Sequence, residues 1–324
     1  MQGVLTSLLV ALLLLPAGAI GQGSRDAYPS KAVRLVVNFA PGGTVDIIGR
    51  ILAQRLAEGF GQPVVVENRP GANGNIGAEL VARSRADGYT LLMTSSAVLK
   101  TNPHVYRSMP FDTFRDFALI TEVAKTHLLL IVKPALPVAT AGEFLAYLKS
   151  NPGKLSYGSA GNGSGPHIAA EMLIRQAGGS AVHVPYKGLG PALADLLAGQ
   201  IDFMFDSGGG VAQIRSGKAR LLAVGSTTRY ALFRDAPTLI EAGLPGFNTE
   251  SSHALVAPAG TPADIVARLH QEVVRILKNP EVVERILATG AEVIANTPEE
   301  FTANLRAEYQ RIGRFIQEAG IRGD

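Results

Sequence analysis

The stretch VVNFAPGGTVDIIGRILAQRL, residues 36–56, joins a short apolar run to an amphipathic pattern through Pro41, Gly42 and Gly43. The apolar residues after the glycines recur at helical spacing, so the stretch predicts a strand, a tight turn and a helix in succession. Two adjacent glycines at such a junction indicate that the backbone turns sharply or lies close to another group. A strand followed at once by a helix is the building unit of a parallel α/β sheet.

Outside this stretch, short β-rich runs continue to alternate with amphipathic segments. Strands are predicted at PVVVEN (63–68), YTLLMTS (89–95), HLLLIVK (127–133), KLSYGS (154–159), AVHVPY (181–186) and IDFMFD (201–206). Such alternation predicts parallel sheets covered by helices. Because these strands are too many for one sheet, we predict an α/β fold of two lobes, each a mostly parallel sheet flanked by helices. The first lobe comprises residues 25–125 and 251–324 and the second residues 126–250, so the chain crosses between them twice.

The composition excludes several classes of protein. The 324 residues carry a net charge of +3 and no dense stripe of Lys and Arg with interleaved aromatics, so nucleic-acid binding is not expected. The chain contains no cysteine, which excludes disulfides, thiolate metal sites and cysteine nucleophiles. Hydrophobic residues make up 47% and charged residues 18%, which is typical of a folded chain rather than a disordered one.

The first 24 residues have the layout of a signal peptide. The segment from Val4 to Leu15 is almost wholly apolar, Pro16 breaks it, and Ala17-Gly18-Ala19 supplies a cleavage site of small residues. The apolar run is short for a bilayer span, although the lack of Lys and Arg before Arg25 leaves a retained N-terminal anchor as the alternative. We therefore expect residues 1–24 to be removed and the mature chain to lie outside the cytoplasmic membrane.

Four loops at predicted strand ends are rich in small or polar residues: FAPGGTVD (39–46), MTSSAVLKTNP (93–103), YGSAGNGSGPH (157–167) and MFDSGGG (204–210). In open α/β sheets, ligands bind beyond the carboxyl ends of the strands. Glycine turns that lead into helices expose unpaired N–H groups, and the helix dipole favours an anion there. The loops therefore predict a site for a negatively charged group, with the alternative that the glycines only permit tight turns. The candidate ligand contacts are Phe39, Pro41, Gly42, Gly43, Thr44, Asp46, Ser95, Ser96, Ser159, Ala160, Gly161, Gly163, Ser164, His167 and Asp206.

The two acidic residues in these loops have different expected roles. Asp46, in the first turn of its helix, complements the helix dipole and can bond to free N–H groups, with direct ligand contact as the alternative. Asp206 lies at a strand end facing the expected cleft and is the candidate for accepting a hydroxyl or amine of the ligand. A valine at Gly43 is expected to block the ligand, and also to strain the loop if the glycine has a positive φ.

The same loops match nucleotide-binding and hydrolase motifs poorly. The third glycine of G-x-G-x-x-G would fall on Pro166, and the chain has no P-loop. Ser159 or Ser164 with His167 offers a hydrolase as an alternative, but the spacing of a G-x-S-x-G elbow is missing. We therefore favour a binding protein over an enzyme.

The remaining polar pairs also point away from metal chemistry. His167 and Glu171 are one helical turn apart, as the members of a zinc pair would be, but no HExxH motif accompanies them. His183 and His253 lie in predicted strands, where we expect packing rather than catalysis. Neither a metal nor another cofactor is expected.

A set of segments, in their order and spacing, resembles the Bug-type extracytoplasmic solute receptors of tripartite tricarboxylate transporters. These segments are YPSKAVRLVVNFAPGGTVD (28–46), GQPVVVENRPGANGNIGAELVARSRADGYTLL (61–92), KLSYGSAGNGSGPHIAAEM (154–172), HVPYKGLGPALADLLAGQID (183–202) and EAGLPGF (241–247) followed by APAGTP (257–262). The resemblance implies a type II-like periplasmic-binding-protein fold that closes on a small carboxylate. It also implies that backbone groups, small hydroxyls and ordered water hold the carboxylate in the loops matching Pro41–Asp46 and Ser159–His167.

The resemblance further implies a partner and a location. A receptor of this family lies in the periplasm and delivers its ligand to a large and a small membrane subunit, and we expect it to be monomeric. A receptor that reports to a signalling partner is the alternative. Two departures from the family pattern are visible: Ser251-Ser252-His253 stands where an aromatic residue, commonly Trp, is usual, and FRDAPT (233–238) replaces LPDVPT.

Overall fold

The computed structural model describes residues 28–322, so the predicted signal peptide at 1–24 lies outside the described residues. Its strands are β1 Val33–Val37, β2 Val64–Asn68, β3 Thr90–Ser95, β4 Phe117–Thr126, β5 Leu129–Val132, β6 Leu155–Ser159, β7 Ala181–Pro185, β8 Phe203–Asp206, β9 Arg220–Val224, β10 Ser251–Pro258 and β11 Ala291–Val293. Its α-helices are α1 Thr44–Phe60, α2 Asn75–Ala82, α3 Ser96–Lys100, α4 Asn102–Val105, α5 Ala141–Ser150, α6 Gly165–Ala177, α7 Leu189–Leu197, α8 Val211–Arg215, α9 Ala263–Leu277, α10 Pro280–Leu287 and α11 Pro298–Ala319.

These strands form two sheets, which confirms the two-lobed α/β fold. The first sheet has the order β11-β4-β10-β3-β1-β2 and the second the order β7-β6-β8-β5-β9. Both sheets are mixed rather than mostly parallel, which corrects the expected pairing. β1, β2 and β3 run parallel, as do β6, β7 and β8, whereas β4, β5, β9, β10 and β11 pair antiparallel. In each sheet, the strand by which the chain enters after a crossing runs against the strand–helix units: β5 in the second sheet and β10 in the first.

Helix α1 follows the periodicity of the opening stretch. Its buried residues Ile48, Leu52 and Leu56 recur at helical spacing and pack in the same apolar cluster as Val37 and Met93. The helix ends at Gly61, which adopts the left-handed conformation with φ +65° and is therefore suited to glycine. The N-terminus of α1 is thereby fixed at the carboxyl edge of the first sheet.

The C-terminal helix α11 packs against both lobes. Phe301 and Leu305, in its first half, belong to the apolar cluster of the first sheet that includes Phe117. Ile312 and Ile316, in its second half, belong to the core cluster of the second sheet. The predicted lobe boundaries near residues 125 and 250 stay a prediction, and α11 joins the lobes in addition to the two crossings.

None of the helices within residues 28–322 combines the length and apolar character needed to span a bilayer.

Candidate functional site

The strand pairing places the predicted loops of each lobe side by side. β1 and β3 are parallel neighbours, with Val37 opposite Met93, so the loops after these strands leave the first sheet at one edge. β6 and β8 are likewise parallel neighbours, so Ser159 and Asp206 end adjacent strands of the second sheet. Since β10 pairs His253 with Ser95 and β5 pairs Leu129 with Asp206, both loop edges lie beside the chain crossings. The two groups of loops therefore flank the junction of the lobes.

In the first loop, the Asp46 carboxylate is fully occupied by groups of the protein. Its Oδ2 accepts hydrogen bonds from the Gly42 N–H at 2.9 Å and from Arg50 Nε at 3.0 Å, and its Oδ1 accepts one from Asn68 Nδ2 at 2.8 Å. Burial raises the pKa of Asp46, but the hydrogen bonds from Arg50, Gly42 and Asn68 outweigh it and hold the pKa below its usual value. The geometry gives Asp46 the role of closing the turn.

The N-terminus of α1 offers free backbone donors. In the part of the chain that the structure describes, no acceptor bonds to the N–H groups of Thr44, Val45 or Asp46; the first amide bonded in the helical pattern is that of Ile47, to Gly43 O at 2.9 Å. Gly43 is the N-cap residue and supplies no side chain to satisfy them. These donors and the helix dipole together suit an anion.

The two glycines of the opening stretch differ in conformation. Gly42 has φ +85°, which favours glycine, whereas Gly43 has φ −78° and ψ 165°, an extended conformation open to any residue. The condition for strain at Gly43, a positive φ, is therefore not met; the positive φ is at Gly42. A methyl group on Gly43 would approach only the Ala40 carbonyl, at 3.7 Å.

The two serines after β3 have separate roles. Ser95 caps α3 by accepting the Ala97 N–H at 3.3 Å, and its Oγ lies 3.1 Å from Ser251 Oγ. Ser96 is 1% exposed, and its Oγ accepts the Ser252 N–H at 3.0 Å. Ser95 therefore lies at the loop edge, while Ser96 ties the loop to the second crossing.

In the second lobe, the loop 159–167 is folded around the Gly161 backbone. Gly161 has φ +121°, its N–H donates to Ser159 Oγ at 3.1 Å, and its carbonyl accepts Ser164 Oγ at 2.7 Å. Ser164 also caps α6. Within residues 28–322, the N–H groups of Gly165 at the helix start and of Ala160 in the loop have no acceptor. This loop thus leaves one N–H group unpaired at the helix start and one within the loop, since Pro166 has no N–H and the His167 N–H donates to Ser164 Oγ at 3.4 Å.

A stack of aromatic rings lies beneath this loop. The rings of His167 and His183 are parallel within 6° with centroids 4.0 Å apart, and Tyr157 stacks on His183 at 4.8 Å while its centroid lies 6.3 Å from that of His167. Gly163 N–H donates to His167 Nδ1 at 3.0 Å, so this nitrogen is an acceptor and His167 is neutral. Burial, and then the proximity of His167, lowers the pKa of His183 to about 4.

Among the described residues, the predicted side-chain pairs of Ser159 or Ser164 with His167, and of His167 with Glu171, are not formed. Ser159 Oγ lies 2.7 Å from Nε2 of His183, which thus has a polar contact as well as packing, while His167 bonds to Gly163. Tyr157 Oη donates to Glu171 at 2.7 Å, which occupies that carboxylate. Within the described residues, no three His, Cys, Asp or Glu side chains are grouped so as to hold a metal ion.

Asp206 ends β8 and is 1% exposed. Its Oδ2 accepts the N–H groups of Gly208 at 2.7 Å and of Gly210 at 2.9 Å, so the carboxylate shapes the loop that follows it. Its Oδ1 has no partner among residues 28–322. Burial raises the pKa of Asp206 despite the backbone donors around Oδ2.

Sequence reasoning missed an amide-rich network beside the first loop. Asn38, at the end of β1, donates to Gly74 O and to Thr94 Oγ1, both at 2.9 Å, and its buried Oδ1 has no partner in the described chain. The adjacent turn holds Ala72 and Asn73 at φ +47° and +50°. The signal was present in the Asn/Gly-rich segment PGANGN (70–75), because such residues favour a left-handed turn.

Comparison with known proteins fits this geometry. The family model described as "Tripartite tricarboxylate transporter family receptor" matches residues 48–321. Protein BugT of Bordetella pertussis (strain Tohama I) is 34% identical over 315 residues, covering 97% of this chain and 97% of BugT. Among solved structures, R. palustris Rpa4515 with adipate is 35% identical, covers 91% of this chain and 99% of its own, and has a TM-score of 0.80. MatC (Rpa3494) from Rhodopseudomonas palustris with bound malate is 31% identical, covers 89% of this chain and 100% of its own, and has a TM-score of 0.76.

These likenesses extend over nearly the whole described chain. The family consists of periplasmic solute-binding proteins and not of enzymes. The chain belongs to the tripartite tricarboxylate transporter receptor family, the Bug-type solute-binding proteins.

Proposed function

We propose that this receptor binds a small organic carboxylate between its two lobes and delivers it to the large and small membrane subunits of a tripartite tricarboxylate-type transporter. The observation that carries the proposal is the repeated arrangement of loops 39–46 and 159–167. Each leads through glycines into a helix start with backbone donors that have no acceptor within residues 28–322. In the first loop these are the N–H groups of Thr44, Val45 and Asp46; in the second they are that of Gly165 and, within the loop, that of Ala160. A carboxylate suits such donors because it accepts several hydrogen bonds and interacts favourably with the helix dipole.

The loops bear on how the ligand is recognised, and the similar proteins bear on its size. Neither loop contains Lys or Arg, so recognition rests on backbone N–H groups and small hydroxyls rather than on a bidentate guanidinium. Two similar proteins are described with adipate and with malate, both dicarboxylates. Dicarboxylates of four to six carbons are therefore the first ligands to test on this receptor.

A thermal-shift screen of the purified protein tests the proposal. Each dicarboxylate is paired with its diamide, which has the same carbon chain but no charge. At a hundredfold excess over Kd, a bound acid adds about 2.7 kcal/mol of stability, which raises the melting temperature by several degrees. We expect at least one acid to do so and its diamide not to. Equal shifts from acid and diamide, or no shift from any organic acid, would contradict a carboxylate receptor.

Binding is proposed to bring the lobes together, since hinge closure is a common response of two-lobed proteins to ligand. Small-angle scattering at saturating acid should then give a smaller radius of gyration than the ligand-free protein. An unchanged profile with a confirmed ligand would argue against closure. Size-exclusion chromatography with light scattering tests the proposed monomer in the same samples.

We also propose that residues 1–24 direct the protein to the periplasm. Mass spectrometry of the periplasmic fraction should find a mature N-terminus between residues 20 and 27. Recovery of the intact chain, beginning at Met1, from the membrane fraction would instead support a retained anchor.

A further inference from the structure

His127 lies at the first crossing, between the end of β4 at Thr126 and the start of β5 at Leu129. Its side chain is completely buried, with 0% exposure. The ring packs against that of Tyr230 of the second lobe, with the ring centroids 4.6 Å apart and the planes tilted by 37°. His127 therefore lies at the crossing and contacts the second lobe, so a change in the angle between the lobes would alter its contacts.

Carboxylates from two other segments meet the same ring. His127 Nε2 lies 3.0 Å from Oε2 of Glu292, which is on β11 of the first sheet, and Nδ1 lies 3.7 Å from Oε1 of Glu250, just before β10. Lys125 Nζ is 2.7 Å from the same Glu250 oxygen and balances that charge. The other Glu292 oxygen accepts the Ala231 N–H of the second lobe at 2.9 Å. Glu292 thus joins the first sheet both to the crossing and to the second lobe.

The backbone beside this cluster permits close approach of the lobes. Gly290 precedes β11, Gly208 follows β8, and a methyl group on Gly208 would lie only 3.8 Å from the Gly290 Cα. A cavity of about 320 Å³ adjoins the two glycines, and Arg215 of the second lobe and Glu284 of the first both line it. The backbones of the two lobes therefore come close here, with space beside the contact.

The charge state of His127 depends on its burial. Burial lowers the pKa of His127, and the charge of Lys125 lowers it further. The contact with Glu292 and the charge of Glu250 raise the pKa but are outweighed, so the pKa lies below its usual value. His127 is therefore neutral at pH 7.5 in this arrangement. A proton is bound more favourably by any arrangement that hydrates the ring, so acid shifts the population away from the one seen here.

We propose that the contacts of His127 with Glu292 and Tyr230 form an acid-released latch that holds the two lobes at their observed angle. The groups that face the ring are Glu292 from β11, Glu250 and Lys125 beside the crossings, and Tyr230 from the second lobe. This latch does not depend on which ligand the cleft binds. Its release is a property of the ligand-free protein.

The absence of native cysteine allows a direct measurement. Arg85→Cys in the first lobe and Lys149→Cys in the second place spin labels on two exposed positions. Double electron–electron resonance is recorded between pH 7.5 and 5.0 without ligand. We expect the mean distance to change by more than about 2 Å, the scale of hinge rearrangements, with a midpoint below about 6.5. An unchanged distance across this range would overturn the proposal.

Three variants in the labelled background separate the latch from other effects of acid. His127→Phe keeps an aromatic ring on Tyr230 but cannot titrate, so the pH response should disappear. Glu292→Gln removes a charge that raises the pKa of His127, so the midpoint should move down by about one pH unit. His270→Gln is the matched control, because the hydrogen bond of His270 among residues 28–322 is to the Asn296 carbonyl of its own lobe, at 3.1 Å, and the response should be unchanged.

The folding of each variant is checked by its melting temperature at pH 7.5. A wild-type pH response in folded His127→Phe would overturn the proposal. If that variant does not fold, Glu292→Gln decides, since an unmoved midpoint would show that the response arises elsewhere.

Discussion

The Gly42 N–H donates to Asp46 Oδ2 at 2.9 Å, so the side chain at the start of α1 holds the glycine turn that precedes it. The same oxygen accepts Arg50 Nε, and the other carboxylate oxygen accepts Asn68 Nδ2. Three parts of the first lobe thus converge on one buried carboxylate. This arrangement fixes the turn while leaving the helix N–H groups beyond it free for a ligand.

Asp46→Asn should destabilise the protein more than it weakens ligand binding. Charge-assisted hydrogen bonds contribute about 1.5–3 kcal/mol, and the variant loses the charge but keeps the shape. The pKa of Asp46 is lower in the folded protein than in the unfolded chain. The stability contributed by the ionised carboxylate is therefore complete above the unfolded-state pKa and is lost as the pH falls through the folded-state pKa. Urea unfolding from pH 7 to 3 should therefore be less pH-dependent in the variant. An equally steep dependence would show that Asp46 is not a stabilising charge.

Gly42→Val should strain the turn because Gly42 has φ +85°. Among the described residues no atom lies within 4 Å of the added Cβ, so the effect comes from the backbone conformation rather than from a clash. A left-handed conformation costs an L-residue about 1–2 kcal/mol, so the free energy of unfolding should fall by at least that amount. Gly43→Ala, with φ −78°, is the matched control and should unfold as the wild type does. Equal stability of Gly42→Val and Gly43→Ala would contradict the conformations described here.

His183→Gln should reduce the loss of stability in mild acid. The pKa of His183 in the folded protein is about 4, below the usual value of about 6.5. The stability that the protein gains from a neutral His183 is therefore complete above pH 6.5, and it declines by roughly 1–3 kcal/mol as the pH falls towards 4. Glutamine can still bond to Ser159 but does not titrate. Melting temperatures from pH 7 to 4 should decline less in the variant; parallel curves would mean that His183 does not contribute.

His253→Phe should stabilise the protein. His253 is 5% exposed, and within residues 28–322 neither ring nitrogen has a hydrogen-bond partner, which costs about 1–3 kcal/mol. Phenylalanine fills a similar space without a polar atom. His253→Gln keeps the polar atoms and should bring no such gain. A lower melting temperature for His253→Phe than for His253→Gln would show that the nitrogens are satisfied, for example by water.

The sequence predicted the parts of the fold that depend on local pattern. The turn at Gly42 and the helix that follows were predictable because apolar spacing and glycine conformation act within a few residues. The Ser159–His183 contact was not, because it needs the parallel register of β6 and β7, which sets Tyr157 opposite His183. The antiparallel crossing strands were missed for the same reason, since strand direction is decided by distant partners. The amphipathic pattern of α11 likewise does not say that its two halves pack against different lobes.

The most direct test of the account is the affinity of Gly43→Val for the acid found in the screen. The backbone at Gly43 tolerates a side chain, and a valine there would add its bulk at the residue directly before the free N–H groups of α1, where we expect the carboxylate to bind. Calorimetry should show a loss of roughly ten- to a hundredfold, equivalent to about 1.5–3 kcal/mol, with an unchanged melting temperature. Wild-type affinity in a normally folded variant would contradict a carboxylate site at this loop.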